Sequence, residues 1–197
     1  MELWYTTTSP FARKVRIAVA ELGLTDQIAL VRVDPWTDDR LRERNPLSKV
    51  PTLVLDDGTA LPESSLICEW LDHLSDERKL CPVQGPDRWR ALRLQGIADG
   101  AATAVGRLFA DEHRPETERS EAMMVRFAAA RDSVLDALEP EDLDGEPRIG
   151  EIAVLALLGY LDFRWPERDW RSGRPRLANW AKLMFKRPSM ASTVHSI

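Results

Sequence analysis

At 197 residues with a formal net charge of −5, the chain is long enough to bury a core in one or two domains and too acidic to carry a nucleic-acid footprint. Hydrophobic residues make up 44% and charged residues 30%, the balance of a globular protein, and no apolar run reaches the length of a membrane span. Its two cysteines, Cys68 and Cys81, form neither a CxxC pair nor a metal-ligand spacing. No metal site is therefore expected, and a reducing, cytoplasmic compartment is.

Met1-Glu2-Leu3 leads straight into a first strand, predicted from Leu3 to about Thr6, with no signal peptide ahead of it. A helix follows from Pro10 to Leu22. Proline suits the first helical position because its missing N–H would be unpaired there. Ser9, pushed out of the helical region by the proline after it, falls on the N-cap. Val15, Ala18, Val19 and Leu22 recur at helical spacing, and Gly23 stands at the stop. The result is strand, turn, helix, with a hydroxyl at the positive helix end. Such a hydroxyl either only caps the helix, or it accepts from a backbone N–H and donates to a bound anion such as a thiolate. Tyr5, Thr7 and Thr8 carry further hydroxyls nearby.

Ile28 to Val33 is a second β-rich run, ended by Asp34-Pro35, and Asp38 to Arg44 reads as a short exposed helix or turn broken by Asn45-Pro46. Lys49 to Leu55 is a strand with Pro51 near its start, Asp57-Gly58 a hairpin turn, and Thr59 to Leu61 the return strand. Glu63-Ser64-Ser65 opens a helix with Leu66, Ile67, Trp70, Leu71 and Leu74 on one face, and Cys68 as a buried inert thiol. Alternating elements followed by a hairpin predict a small α/β layer with a mixed sheet.

Cys81 to Pro86 is a linker by its proline and glycine content, and beyond it the pattern is wholly helical. Long amphipathic helices are predicted over Asp87 to about Phe109 and Pro115 to Leu138, then an acidic loop over Glu139 to Pro147. Glu151 to Leu158 is apolar nearly all round, as in a core helix, and Pro175 to Lys186 is a last helix ended by Arg187-Pro188.

Four pieces in this order resemble the glutathione transferase superfamily, and its small bacterial members in particular. They are Ser9-Pro10-Phe11-Ala12-Arg13-Lys14-Val15, Asn45-Pro46-Leu47-Ser48-Lys49-Val50-Pro51-Thr52-Leu53, Leu61-Pro62-Glu63-Ser64-Ser65-Leu66-Ile67 and the tail Arg187-Pro188-Ser189-Met190. The resemblance implies an α/β plus all-α fold: a thioredoxin-like domain over 1–80, a linker over 81–86, an all-helical domain over 87–197, and pairing into a homodimer. It further implies glutathione as co-substrate, a small apolar electrophile as second substrate, and neither metal, nucleic acid nor membrane as partner.

The same resemblance assigns roles. Ser9 faces the glutathione thiol. Phe11, Lys49, Val50, Pro51, Glu63 and Ser64 bind the tripeptide, with Val50-Pro51 cis and the Val50 backbone pairing with the cysteinyl residue like an added strand. Read without the family, Pro51 only begins a strand, Ser64 or Ser65 only caps a helix, and Lys49 is a solvated lysine. Asp99 stands where some relatives send an acid across the dimer. Leu108, Phe109 and Trp165 either line an apolar electrophile pocket between the two domains or belong to the core of the helical bundle, and the sequence does not separate the two. One departure concerns the core helix, which in the family opens with a Ser/Thr-x-x-Asp capping box. Here Arg148 and Glu151 occupy the two positions, so Asp144 or Gly145 is expected to cap instead.

Activation of the thiol is the implied mechanism. A charge-assisted hydrogen bond contributes roughly 1.5–3 kcal/mol and a helix N-terminus about 0.3–1 kcal/mol. At about 1.4 kcal/mol per unit, that lowers a thiol from about 8.5 by one to three units. Serine forms no mixed disulfide, so redox exchange is disfavoured. The alternatives are a non-catalytic binding or regulatory protein of the same fold, as the stringent starvation proteins are, and a glutathione-dependent peroxidase or isomerase.

Overall fold

The computed structural model describes residues 1–75 and 79–197. In chain order come β1 (Glu2–Tyr5), α1 (Pro10–Glu21), β2 (Ala29–Arg32), α2 (Asp39–Arg44), β3 (Thr52–Val54), β4 (Ala60–Pro62) and α3 (Ser64–Leu74). The helices α4 (Pro86–Glu112), α5 (Glu121–Leu138), α6 (Ile149–Arg164), α7 (Pro175–Met184) and α8 (Pro188–Ala191) complete it. The sheet has the order β2-β1-β3-β4. β1 is parallel to β2 and antiparallel to β3, which is antiparallel to β4. This is the expected mixed sheet of a thioredoxin-like layer, followed by an all-helical half.

Four local details differ from expectation. Pro86 is the first residue of α4, so the linker predicted over 81–86 ends one residue early; Gly85 at φ +85° makes the turn into that helix. Pro115 is extended and starts only a 3-10 turn, and α5 begins at Glu121. The helix expected over Pro175 to Lys186 already ends at Met184 with Phe185 as its C-cap, and it is not the last, because Pro188 opens the short α8. Finally, neither Asp144 nor Gly145 caps α6. Its N-cap is Arg148, whose backbone N–H donates to Glu151 Oε2 at 3.1 Å. A guanidinium has no acceptor, so only the carboxylate half of the box exists. Arg90 Nη1 donates to the same buried carboxylate at 2.7 Å.

The core is organised on α6, buried along most of its length. Two glycines on that helix set how closely others approach. A Cβ on Gly150 would lie 2.7 Å from Ala91 O and from Leu94 Cβ of α4, and one on Gly159 would lie 1.7 Å from Arg13 Nη1 of α1. So α4 packs backbone-to-backbone at one end of α6, and the Arg13 guanidinium fills a notch at the other. Arg13 is almost wholly buried, and burial, with repulsion from Arg16, lowers its pKa to about 10.

The C-terminal segment ties the halves together. Arg187 pairs with Glu21 of α1 at 2.9 Å, and Arg16 Nη2 donates to Ser192 O at 3.2 Å. Thr7 Oγ1 donates to Ser196 O at 2.8 Å. His195 Nδ1 donates to Thr7 O at 2.9 Å, and its ring stacks on Phe163 at 5.3 Å. Desolvation lowers the His195 pKa from 6.5 to about 4, with repulsion from Arg13 and Arg164 adding to it.

Two outcomes follow. Gly150→Ala should cost about 1–3 kcal/mol by overpacking, because the obstacle is backbone. Gly106→Ala, in open space on α4, should gain up to about 1 kcal/mol of helix propensity; urea midpoints of the two variants measure both. His195 has a depressed pKa, so its contribution is complete above pH 6.5 and is lost as the pH falls toward 4. The loss amounts to about 3 kcal/mol. His195→Asn should flatten that part of the stability profile between pH 7 and 4, read by denaturation at each pH.

Candidate functional site

The sheet register gathers the sequence-predicted residues. Trp4 of β1 stands opposite Thr52, and Thr52 opposite Pro62. The end of β1, the start of β3 and the end of β4 therefore share one edge of the sheet. From that edge emerge the 6–9 turn, Val50-Pro51 and Glu63-Ser64. Both α1 and α3 begin there, and neither has an acidic residue in its first turn. Two positive helix ends with free N–H groups thus converge where three loops meet.

Ser9 is the N-cap of α1, extended at φ −84° and ψ 126°, and its Oγ accepts from Ala12 N at 3.2 Å. The hydroxyl proton is free to point outward. The other hydroxyls are differently engaged. Thr7 donates to the C-terminal segment, Thr6 and Thr8 lie 3.4 Å from one another, and the Tyr5 ring carries the Arg16 guanidinium at 4.9 Å.

Val50-Pro51 is cis. The ladder between β1 and β3 begins only at Thr52, which leaves Val50 outside it. The bend is fixed by Asn45, which on sequence alone reads as a helix breaker. Asn45 is buried, and its Nδ2 donates to Lys49 O at 3.1 Å and to Thr52 Oγ1 at 2.9 Å, while its Oδ1 accepts from Leu47 N at 3.0 Å. Thr52 Oγ1 itself donates to Lys49 O at 2.8 Å. The available signal was Asn-Pro followed by Thr at a spacing that lets one amide span the loop. The Lys49 side chain is exposed, and Phe11 packs partly buried against the core.

Glu63 has φ +66° and ψ 124°, a conformation unfavourable for any residue with a Cβ, and strain of this kind collects at binding sites. Ser64 is buried as the first residue of α3. Beside them, Asp99 Oδ2 of α4 accepts from Lys14 Nζ of α1 at 2.6 Å. Asp99 therefore has a partner within its own chain. Lys14, fully buried, was legible only as one letter of a motif. Burial raises the Asp99 pKa, Lys14 opposes this, and repulsion from Glu63 adds to the rise. Glu63 and Asp99 are thus near enough to repel, and a cation between them would relieve both.

Of the two readings of the long-helix apolar residues, the core takes most. Leu108 and Trp165 belong to the buried core, with Trp165 Nε1 donating to Glu112 Oε2 at 2.7 Å. Phe109 is partly buried, with the Arg164 guanidinium over its ring at 4.1 Å. Apolar residues on long helices serve packing as readily as pockets, and here packing claims two of the three. A hollow of about 670 Å³ lies beside Thr6, Thr8, Trp36 and Ile197. There the Trp36 indole is 92% exposed. Cys68 is buried with its thiol pushed up to about 12 by desolvation, which makes it inert. Among the described residues, no cluster of three or more His, Cys, Asp or Glu side chains could hold a metal, and no helix is long and apolar enough to cross a membrane.

Comparison with known proteins agrees with this layout. The glutathione S-transferase N-terminal domain family matches residues 8–74 and the C-terminal domain family residues 116–182. The uncharacterized GST-like protein YibF of Escherichia coli K12 is 30% identical, with 98% of each chain covered. A glutathione transferase family member from Pseudomonas fluorescens Pf-5, solved with bound glutathione, is 33% identical with a TM-score of 0.95, covering 100% of this chain and 99% of that one. A glutathione S-transferase from Methylobacillus flagellatus KT, solved with glutathione bound, is 30% identical with a TM-score of 0.92 and 99% of each chain covered. With both domain families matched in order and full-length relatives at this identity, the chain belongs to the glutathione S-transferase family.

Proposed function

We propose that the chain is a glutathione transferase that activates the glutathione thiol at Ser9 for attack on a small electrophile. The observation that carries this is the convergence of two helix N-termini, the Val50-Pro51 bend and the Glu63/Asp99 acid pair on one sheet edge. Glutathione offers a matching set of groups. Its γ-glutamyl ammonium suits the repelling carboxylates of Glu63 and Asp99, and the adjacent carboxylate suits the free N–H groups and hydroxyl of Ser64 at the start of α3. The Val50 N–H and C=O, outside the ladder, suit the cysteinyl backbone. Lys49 suits the glycyl carboxylate, and Phe11 flanks the thiol. The relatives solved with glutathione bound support the same reading.

With the tripeptide so placed, the thiol falls at the start of α1. The Ser9 hydroxyl keeps its bond from Ala12 N and turns its proton to the sulfur. That bond and the helix end favour thiolate, and the bound geometry brings it to the electrophile. The sulfur forms a new bond to carbon as the leaving group departs, or adds to an activated double bond. One related structure holds S-(propanoic acid)-glutathione, in which the sulfur carries an organic substituent. Neither metal nor redox-active cysteine has a part in this scheme.

The same proposal includes a homodimer paired through α3 and α4, with the partly exposed Trp70 and Leu92 and the 70% exposed Trp89 on those helices as contact residues; Asp99, held by Lys14 of its own chain, is not assigned to the partner's ligand. Sedimentation at micromolar concentration should give about twice the 22.3 kDa chain mass; a monomer alone would rule the pairing out. The domain division at 1–80, 81–86 and 87–197 stays with this reading, its linker shortened by Pro86.

Ser9 carries the decisive test. Ser9→Ala should cost about 1 kcal/mol of stability through the lost cap. It should also lower the conjugation rate of a generic aryl halide ten- to a hundredfold, the counterpart of about 1.5–3 kcal/mol. Ultraviolet titration of the bound thiol should show a raised pKa. If both pKa and rate are unchanged, Ser9 is only a cap. Glutathione binding without turnover in the unaltered protein would point to a binding or regulatory role.

A further inference from the structure

We infer that Arg164 is an anion anchor on the acceptor side of this site, and that the electrophile attacked there carries a carboxylate on an apolar or aromatic body. The inference rests on the transferase reading above and names the substrate class of the same site.

Arg164 is the last residue of α6 and is partly exposed. Its guanidinium lies over three aromatic rings: Phe109 at 4.1 Å, Phe163 at 4.6 Å and Tyr160 at 5.4 Å. Among the described residues it makes no hydrogen bond and no ion pair, and its Nε is buried without a partner. Two acids of this region are engaged elsewhere. Asp162 is bound bidentately by Arg171 and also accepts from Trp170 Nε1, and Glu112 accepts from Arg168 and from Trp165. A helix C-terminus explains why a cation is welcome here. It does not explain why, among the described residues, this guanidinium has no counter-ion while neighbouring Arg168 and Arg171 each hold a carboxylate.

The stack leads to the reacting end of the site. Arg164 lies over Phe163, Phe163 stacks on His195 at 5.3 Å, and His195 donates to Thr7 O at 2.9 Å, two residues before Ser9. The Arg164 charge is felt at His195. Aromatic faces hold the guanidinium in place at little cost in freedom and leave its terminal N–H groups as a planar fork, the geometry that matches a carboxylate. The partly buried Phe109 and Phe163 would flank the apolar body of such a substrate, whereas Tyr160 is buried.

The test compares two conjugates by calorimetry on the full chain: S-(4-carboxy-2-nitrophenyl)glutathione and S-(2,4-dinitrophenyl)glutathione, which differ in a carboxylate replacing a nitro group. The unaltered protein should bind the carboxylate at least tenfold more tightly. Arg164→Gln should bring the two within threefold of each other, while affinity for glutathione itself stays within threefold of the unaltered protein. Equal binding of both conjugates by the unaltered protein, a comparison that needs no variant to fold, overturns the inference. So does a preference that survives in Arg164→Gln. If glutathione itself fails to bind, the transferase reading falls as well, a separate and recognisable failure.

Discussion

The ammonium of Lys14 lies wholly inside the protein, and its acceptor is the carboxylate of Asp99 at 2.6 Å. Each residue comes from a different half: Lys14 from α1, which carries Ser9 at its start, and Asp99 from α4 of the helical half. Removing one charge would leave the other in a medium that cannot solvate it, and breaking such pairs costs several kcal/mol. The pair therefore sets the height of α1 against α4. Arg13, one residue earlier, sets its rotation by occupying the notch at Gly159. A helix fixed in both senses presents its N-terminus in one direction, and the Ser9 hydroxyl depends on that direction.

The opposite side of α1 is held by the C-terminal segment. Ser192, Ser196 and His195 bond to Arg16 and to both the hydroxyl and the carbonyl of Thr7. These contacts take up the Thr7 hydroxyl, whereas the Ser9 Oγ accepts from Ala12 N at the helix end. The site is consequently built from both ends of the sequence, and its geometry is coupled to the packing of His195 on Phe163.

Charge is distributed with similar consequence. Around the α3 start the Glu63 charge works against the ionised form of Asp99, and at the α6 end the Arg164 guanidinium has no acid beside it among the described residues. Each is unfavourable in isolation. Glu63 adds backbone strain at the same place. Local disfavour of this kind is tolerated because the Lys14–Asp99 pair, the Asn45 amide and the α4–α6 contact hold the surrounding backbone in place.

Features that depend on near neighbours are legible in the chain's letters. Ser9-Pro10 specified an N-cap and a helix start because proline restricts both its own backbone and that of the residue before it. Asp57-Gly58 specified the hairpin, Glu151 the one half of the cap that survives, and Glu151 to Leu158 a core helix, since each rests on spacing of a few residues. The ordered motifs carried the family and with it the expectation of cis Val50-Pro51. Contacts between distant residues are another matter. That Asn45 is a clamp rather than a breaker, that Asp99 answers to Lys14 eighty-five positions earlier, that Leu108 and Trp165 are core rather than pocket, and that Arg164 stands without a counter-ion have no short-range signature. Pairing energy for a buried charge is set by which groups share its low-dielectric surroundings, and those surroundings exist only once the chain has folded.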